Sequence, residues 1–193
     1  MKEDVLEQIV DDYLQYKGYL TRHNIKFKPA KESVGYISQK DSVHSDVDVI
    51  GLNPKLKGPD RVWAVSCKSW QSGFAVANAI KHIESKKIIS GKSAEQWYRE
   101  LLVPKWTQAF LKAVKDITGE SEFTYVLAVT SIKGDKALWE NYELFRQNLK
   151  GNPVRMICLS DMLREIYEHQ DTTMASSEVG RLLQLIKAAG WKS

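Results

Sequence analysis

Apolar residues recur at helical spacing near the start of the chain. Val5, Leu6, Ile9, Val10, Tyr13 and Leu14 form one stripe over residues 4–17, and Gly18 follows as a stop. Residues 19–28 read as extended, and the polar, turn-rich stretch 29–45 reads as a loop or ragged hairpin. Two strand patterns come next, Val47–Leu52 and Arg61–Lys68, joined by the turn-rich run from Asn53-Pro54 to Gly58-Pro59-Asp60. They predict an antiparallel hairpin with a longish loop.

The middle of the chain has helical periodicity: one helix over 74–89, then two more over 93–117 divided near Pro104. Trp106, Ala109, Phe110, Ala113, Val114 and Ile117 share a face, and Gly119 stops the run. Phe123–Thr130 reads as a buried strand. A helix over 135–149 carries Leu138, Tyr142, Phe145 and Leu149 on one face. Gly151-Asn152-Pro153 turns the chain into a strand, Val154–Leu159, and Ser160 is placed to cap a helix over 161–169. Strand, helix and strand at this spacing predict a right-handed parallel crossover. A last helix, about 176–189, carries Val179, Leu182, Leu183 and Ile186 and is expected to pack on the same domain that residues 1–170 build. The class is α/β: a mixed sheet of about five strands with helices on both faces.

Composition narrows the setting. The 193 residues are 43% hydrophobic and 27% charged, ordinary for a soluble domain. With 28 Lys plus Arg against 24 Asp plus Glu, the net charge of +4 permits a polyanionic partner without requiring one. No apolar run approaches the roughly 20 residues of a membrane span, and Met1-Lys2-Glu3-Asp4 has no signal-peptide pattern. Cys67 and Cys158 fall in apolar, strand-like runs without metal-ligand spacing, as expected of reduced thiols in a cytoplasmic protein.

The candidate chemistry lies in residues 44–74. Asp48 sits on a strand among Val47, Val49 and Ile50, where a carboxylate costs free energy unless its charge is paired. Lys68 closes the next strand. An acid and a lysine at adjacent strand ends can hold a hard cation and a phosphate; a surface salt bridge is the commoner meaning of the spacing alone.

Ser45-Asp46-Val47-Asp48-Val49-Ile50-Gly51-Leu52, followed by Val62-Trp63-Ala64-Val65-Ser66-Cys67-Lys68-Ser69-Trp70-Gln71, resembles the core of the PD-(D/E)xK nucleases, and within them the Mrr-like and archaeal Holliday-junction-resolvase-like branch. The resemblance spans roughly residues 3–169 and implies a restriction-endonuclease-like fold, hydrolysis of DNA phosphodiesters and dependence on Mg2+ or Mn2+. It implies DNA as the partner and allows a homodimer. Asp48 would be the central metal ligand, Lys68 the catalytic lysine, and the Cys67 carbonyl a main-chain ligand. Glu7, or else Glu3, would match the acid on the first helix.

One position departs from that pattern: Ser66 stands where the family has Glu, Asp or Gln. Either the site is degenerate and only binds nucleic acid, or another acid has moved in (Asp46, Glu84 and Glu7 are the candidates), or Ser66 holds a metal-bound water. Gln71 reads as a phosphate contact or a loop-to-helix cap, and His44 as a base, a DNA contact or an exposed loop residue. Lys81, His82, Lys86, Lys87 and Lys92 read as one helical basic stretch suited to phosphate contacts, or as a solvated face. Trp70 and Trp97 are candidates for stacking on bases.

Overall fold

The computed structural model describes residues 4–88, 91–168, 175 and 177–190. Its central strands, β3 (Val62–Lys68) and β5 (Thr124–Val129), carry the β-branched and aromatic residues that suit a sheet interior, among them Val62, Trp63, Val65, Tyr125 and Val126. Strands β1 (Leu20–Phe27), β2 (Ser45–Leu52) and β3 (Val62–Lys68) run antiparallel to one another. Two short strands, β4 (Phe74–Ala75) and β6 (Ile132–Lys133), pair in parallel as a small second sheet; β5 (Thr124–Val129) and β7 (Val154–Cys158) extend the main sheet in parallel beyond β3. The main order is β1-β2-β3-β5-β7, a mixed sheet of five strands. Every residue of central β5 is buried, whereas edge strand β1 alternates toward solvent with Arg22, Asn24 and Lys26 exposed.

Helices cover both faces. On one lie α1 (Val5–Tyr16), α9 (Leu159–Glu168) and α10 (Glu178–Ala188), which close over Val49, Trp63, Val65, Val126 and Ala128. On the other lie α3 (Val76–Ser85), α4 (Ala94–Trp97), α5 (Arg99–Leu102), α6 (Pro104–Thr118), α7 (Ala137–Glu140) and α8 (Glu143–Asn148), around Ala64, Phe110, Tyr125 and Leu127. Pro104 opens α6 at its first turn, where a missing N–H costs nothing. A single turn, α2 (Ser38–Asp41), punctuates the segment before β2. It is pinned by Asp41, 2% exposed, which accepts from Ile37 N, Trp106 Nε1 and Lys105 Nζ at 2.7, 2.9 and 2.7 Å. Burial raises that carboxyl's pKa, and these donors outweigh it, holding the pKa below the ordinary value.

Several expectations about the elements are corrected. The helix expected over 74–89 begins only at Val76, because Phe74 and Ala75 pair with Ile132 and Lys133, and it ends at Ser85, because Lys86 turns left-handed at φ 52°. The His82 ring, 2.8 Å from the Lys87 carbonyl, secures that turn. The helix expected over 135–149 is two short ones. The break rotates the register, so Trp139 is fully buried and Leu138 is 52% exposed. Val5 and Leu182 likewise face outward, while Leu183 of α10 reaches the core beside α1. Ser160 lies inside the first turn of α9, against Cys158 Sγ at 3.1 Å, instead of capping it. Glu3 and the expected helix end at residue 169 lie outside the described residues. Among the described residues no helix is long and apolar enough to cross a membrane.

Candidate active site

The site begins at a fork. The β1–β2 ladder passes from His23↔Val49 to Ile25↔Val47 without a pair at Asn24 and Asp48, and Asn24 takes φ 52°. Alternation resets there: His23 turns toward Asp11 of α1, while Ile25 and Val47 join the opposite core. The β2–β3 ladder has its last pair at Val49↔Val65. Where the strands part, the Asp48 carboxylate fills the gap, accepting the Cys67 N–H at 2.5 Å. Burial pushes the Asp48 carboxyl up to about 6, although the Cys67 N–H and the Lys68 charge pull the other way; Asp46 and Glu100 add to the rise.

Beyond the fork, β3 presents Ser66 and Lys68 on one face, as a period of two requires. Lys68 Nζ donates to Ser66 Oγ at 3.1 Å. Ser66, 8% exposed, also hydrogen-bonds Tyr125 on β5, and the Tyr125 hydroxyl donates to Glu100 Oε1 at 2.7 Å. Burial, and then the Glu100 charge, hold the Tyr125 proton tightly. The result is a hydrogen-bonded chain from ammonium through hydroxyl and phenol to a carboxylate that is itself 8% exposed. Glu100 thus lies two hydrogen bonds from Ser66, and its field reaches Asp48.

On the α1 side, Cys67 turns its thiol toward the first helix. Burial raises the thiol's pKa well above its ordinary value, and Asp48, Glu7 and Asp4 reinforce the effect. The start of α1 is thus close to the end of β3. Asp4 caps that helix through Leu6 N at 2.8 Å and also accepts from Ser69 Oγ at 2.5 Å.

The other candidates divide. Asp46 is exposed, opposite Lys26 in the ladder, and reaches Asp48 only through its field. Glu84 is exposed on α3 and acts on Tyr142, so it is no replacement for the missing acid. Gln71 is exposed and caps no helix; the residue preceding α3 is Ala75, without a side-chain cap. Lys81 is exposed on α3, whereas Lys86 and Lys87 lie beyond its end. Glu100 was not among the acids the sequence offered. Its one signal is that the charged pair Arg99-Glu100 is set between Trp97-Tyr98 and Leu101-Leu102.

Two grooves flank this end of the sheet. One, about 700 Å3, opens directly after Lys68 and is walled by Trp70, Phe74, Trp97 and Tyr98. The other, about 540 Å3, lies beyond β1 and brings Lys26, Lys28, Lys31 and His44 together. Lys105 and Lys112 also border it, paired with Asp41 and Asp116.

Among the described residues no three His, Cys, Asp or Glu side chains group into a metal cage. Asp48 is half-buried within the field of Lys68, and Glu100 is buried within reach of Asp48's field; a hard divalent cation suits two such carboxylates when water, main chain or phosphate completes its shell. No family model, no curated protein and no solved structure matches this chain.

Proposed function

We propose that this chain is a metal-dependent DNA endonuclease on a restriction-endonuclease-like, PD-(D/E)xK-type fold. The observation that carries the reading is the convergence of Asp48, Lys68 and Glu100 at one end of β3, linked through Ser66 and Tyr125. Asp48 and Glu100 would hold Mg2+ or Mn2+, with the Cys67 carbonyl as a further oxygen donor and Glu7 beside it on α1. A bound divalent cation supplies an activated water and neutralises charge on the phosphoryl oxygens.

The protein's own groups do the rest. Lys68 Nζ stands 3.1 Å from Ser66 Oγ, poised to orient a nucleophile or to neutralise a phosphate oxygen. Ser66 and Tyr125 keep that ammonium and the Glu100 carboxylate in a fixed relation. Lys26, Lys28 and Lys31 on one side, and Lys81, Lys86 and Lys87 on the other, supply phosphate contacts that position the strand without reading sequence.

Serine at position 66 favours a second reading, a nucleic-acid-binding module that has lost its chemistry. A panel of duplex, junction, flap and single-stranded DNA, with Mg2+ or Mn2+ and with chelator, separates the two. Metal-dependent cleavage of any form supports the enzyme; retention of DNA without cleavage supports the module.

A further inference from the structure

The groove after Lys68 is not explained by phosphodiester chemistry alone. Trp70 stacks on Phe74 with centroids 5.7 Å apart and planes at 6°, and meets Trp97 edge-on at 4.8 Å. Both tryptophans are only half-buried, so large aromatic surface faces the groove. The groove's rim is polar: Gln71 and Asn78 are exposed, and Lys92 Nζ stands 5.4 Å over the Trp97 ring. The segment carrying Trp70 is held firmly. Thr130 Oγ1 donates to the Trp70 carbonyl, and Gly73 N does so at 2.9 Å. Phe74 N donates to the Ser131 carbonyl at 2.8 Å. Gly73 has φ 74°, and a Cβ there would lie 2.1 Å from Ser131 Oγ, so only glycine lets these segments close.

We infer that this groove receives an unstacked base of the DNA strand whose backbone passes Lys68, so that the preferred substrate is single-stranded or locally unpaired DNA. The inference rests on the nuclease reading for the path of the strand. Three features select this occupant. Aromatic walls match the π-face that every base has, independent of sequence. The rim offers the amides of Gln71 and Asn78 for a base edge, and Lys92 beside Trp97 for an adjoining phosphate. The groove also starts two residues past Lys68, so a base turned into it leaves its phosphate near the ammonium. A volume of about 700 Å3 has room for a nucleotide.

The test measures binding in chelator, so that hydrolysis plays no part. Fluorescence anisotropy compares a single strand, a perfect duplex and the same duplex with a one-base bulge, all of equal length and at one salt concentration. The single strand and the bulged duplex should bind roughly tenfold more tightly than the perfect duplex, the size expected of one stacked base. Trp97→Ala should remove that preference and Trp97→Phe should retain it. Asn78→Trp, at an exposed rim position, should remove the preference by filling the groove while leaving the core untouched. Equal binding of all three DNA forms would overturn the inference, as would a preference that survives both Trp97→Ala and Asn78→Trp. Failure of the nuclease reading is separate: it would appear as base-dependent binding with no metal-dependent cleavage. Cleavage that ignores base pairing would instead sink the groove proposal alone.

Discussion

Asp48 accepts the Cys67 N–H at 2.5 Å at the point where β2 and β3 cease to pair. One side chain therefore serves two ends. It satisfies a main-chain donor that the diverging ladder leaves behind, and it puts a carboxylate in the fork beside Lys68. Burial is the cost of that position, visible in a carboxyl whose pKa is pushed up to about 6.

That shift makes stability depend on pH in a defined direction. The folded protein holds the Asp48 proton more tightly than the unfolded chain does, so ionised Asp48 opposes folding. The penalty is absent below pH 3.8, grows as the pH rises from there to the folded value of about 6, and is complete above it. Its size is about 3 kcal/mol, from about 1.36 kcal/mol per unit. Asp48→Asn keeps an acceptor for Cys67 N–H and removes the charge. Urea unfolding should find this variant more stable than wild type by about 1–3 kcal/mol at pH 7.5 and not at pH 4. A gain that does not vary with pH would contradict the burial argument.

Glu100 and position 66 should be exchangeable. Glu100→Gln should weaken Mn2+ binding and cleavage together, by roughly 10²–10³-fold in rate if one electrostatic group is lost. Ser66→Glu in the Glu100→Ala background should restore a large part of both. In the wild-type background the same substitution sets a second acid beside Glu100 and should bring no gain. Metal titration by calorimetry, read alongside cleavage, checks all three, and a Glu100→Gln protein with unaltered metal affinity would remove this carboxylate from the site.

Tyr125→Phe tests the hydrogen-bonded chain. It deletes the donor to Glu100 Oε1 and leaves a buried carboxylate short of one partner. The expected loss is about 1–3 kcal/mol of stability. Lys68→Ala should differ in kind: metal binding persists while cleavage slows by roughly 10²–10³-fold. Parallel calorimetry and single-turnover assays distinguish the two.

Much of this was legible in the chain. Asp48 could be read because it interrupts an apolar strand and Lys68 because it closes the next one, and strand periodicity puts Ser66 and Lys68 on one face. Glu100 could not. Its burial arises from Tyr125 on a strand 25 positions away, and in its own helix a Glu is an ordinary surface residue. The same kind of long-range contact shortened α3. Local pattern carries a helix past Ser85, but pairing of Phe74 and Ala75 with Ile132 and Lys133 takes its first residues, and the His82–Lys87 contact secures the turn at its end. Trp139 replaced Leu138 in the core because a break near Asn141 resets a register that no periodicity over 135–149 could foresee.

The basic flanks make a salt-dependent prediction. Lys86 is left-handed, so Asn is the substitution that suits its backbone. Lys86→Asn with Lys87→Gln should weaken binding of all DNA sequences alike and lower the slope of log K against log salt by about 2, near 0.9 per phosphate contact. Lys26→Gln with Lys28→Gln should act similarly if the groove beyond β1 carries the other side of the strand. An unchanged slope for either pair removes that flank from the interface.

The central claim is that Asp48 anchors a metal-dependent hydrolysis of DNA, and a cleavage assay of wild-type and Asp48→Asn proteins tests it most directly. Both are incubated with the same duplex and single-stranded DNA in Mn2+, with a chelator control. The account predicts cleavage by wild type that chelator abolishes, and none by Asp48→Asn, although the variant is folded and at least as stable at pH 7.5. Cleavage that persists in Asp48→Asn, or no cleavage of either DNA by wild type, would contradict it.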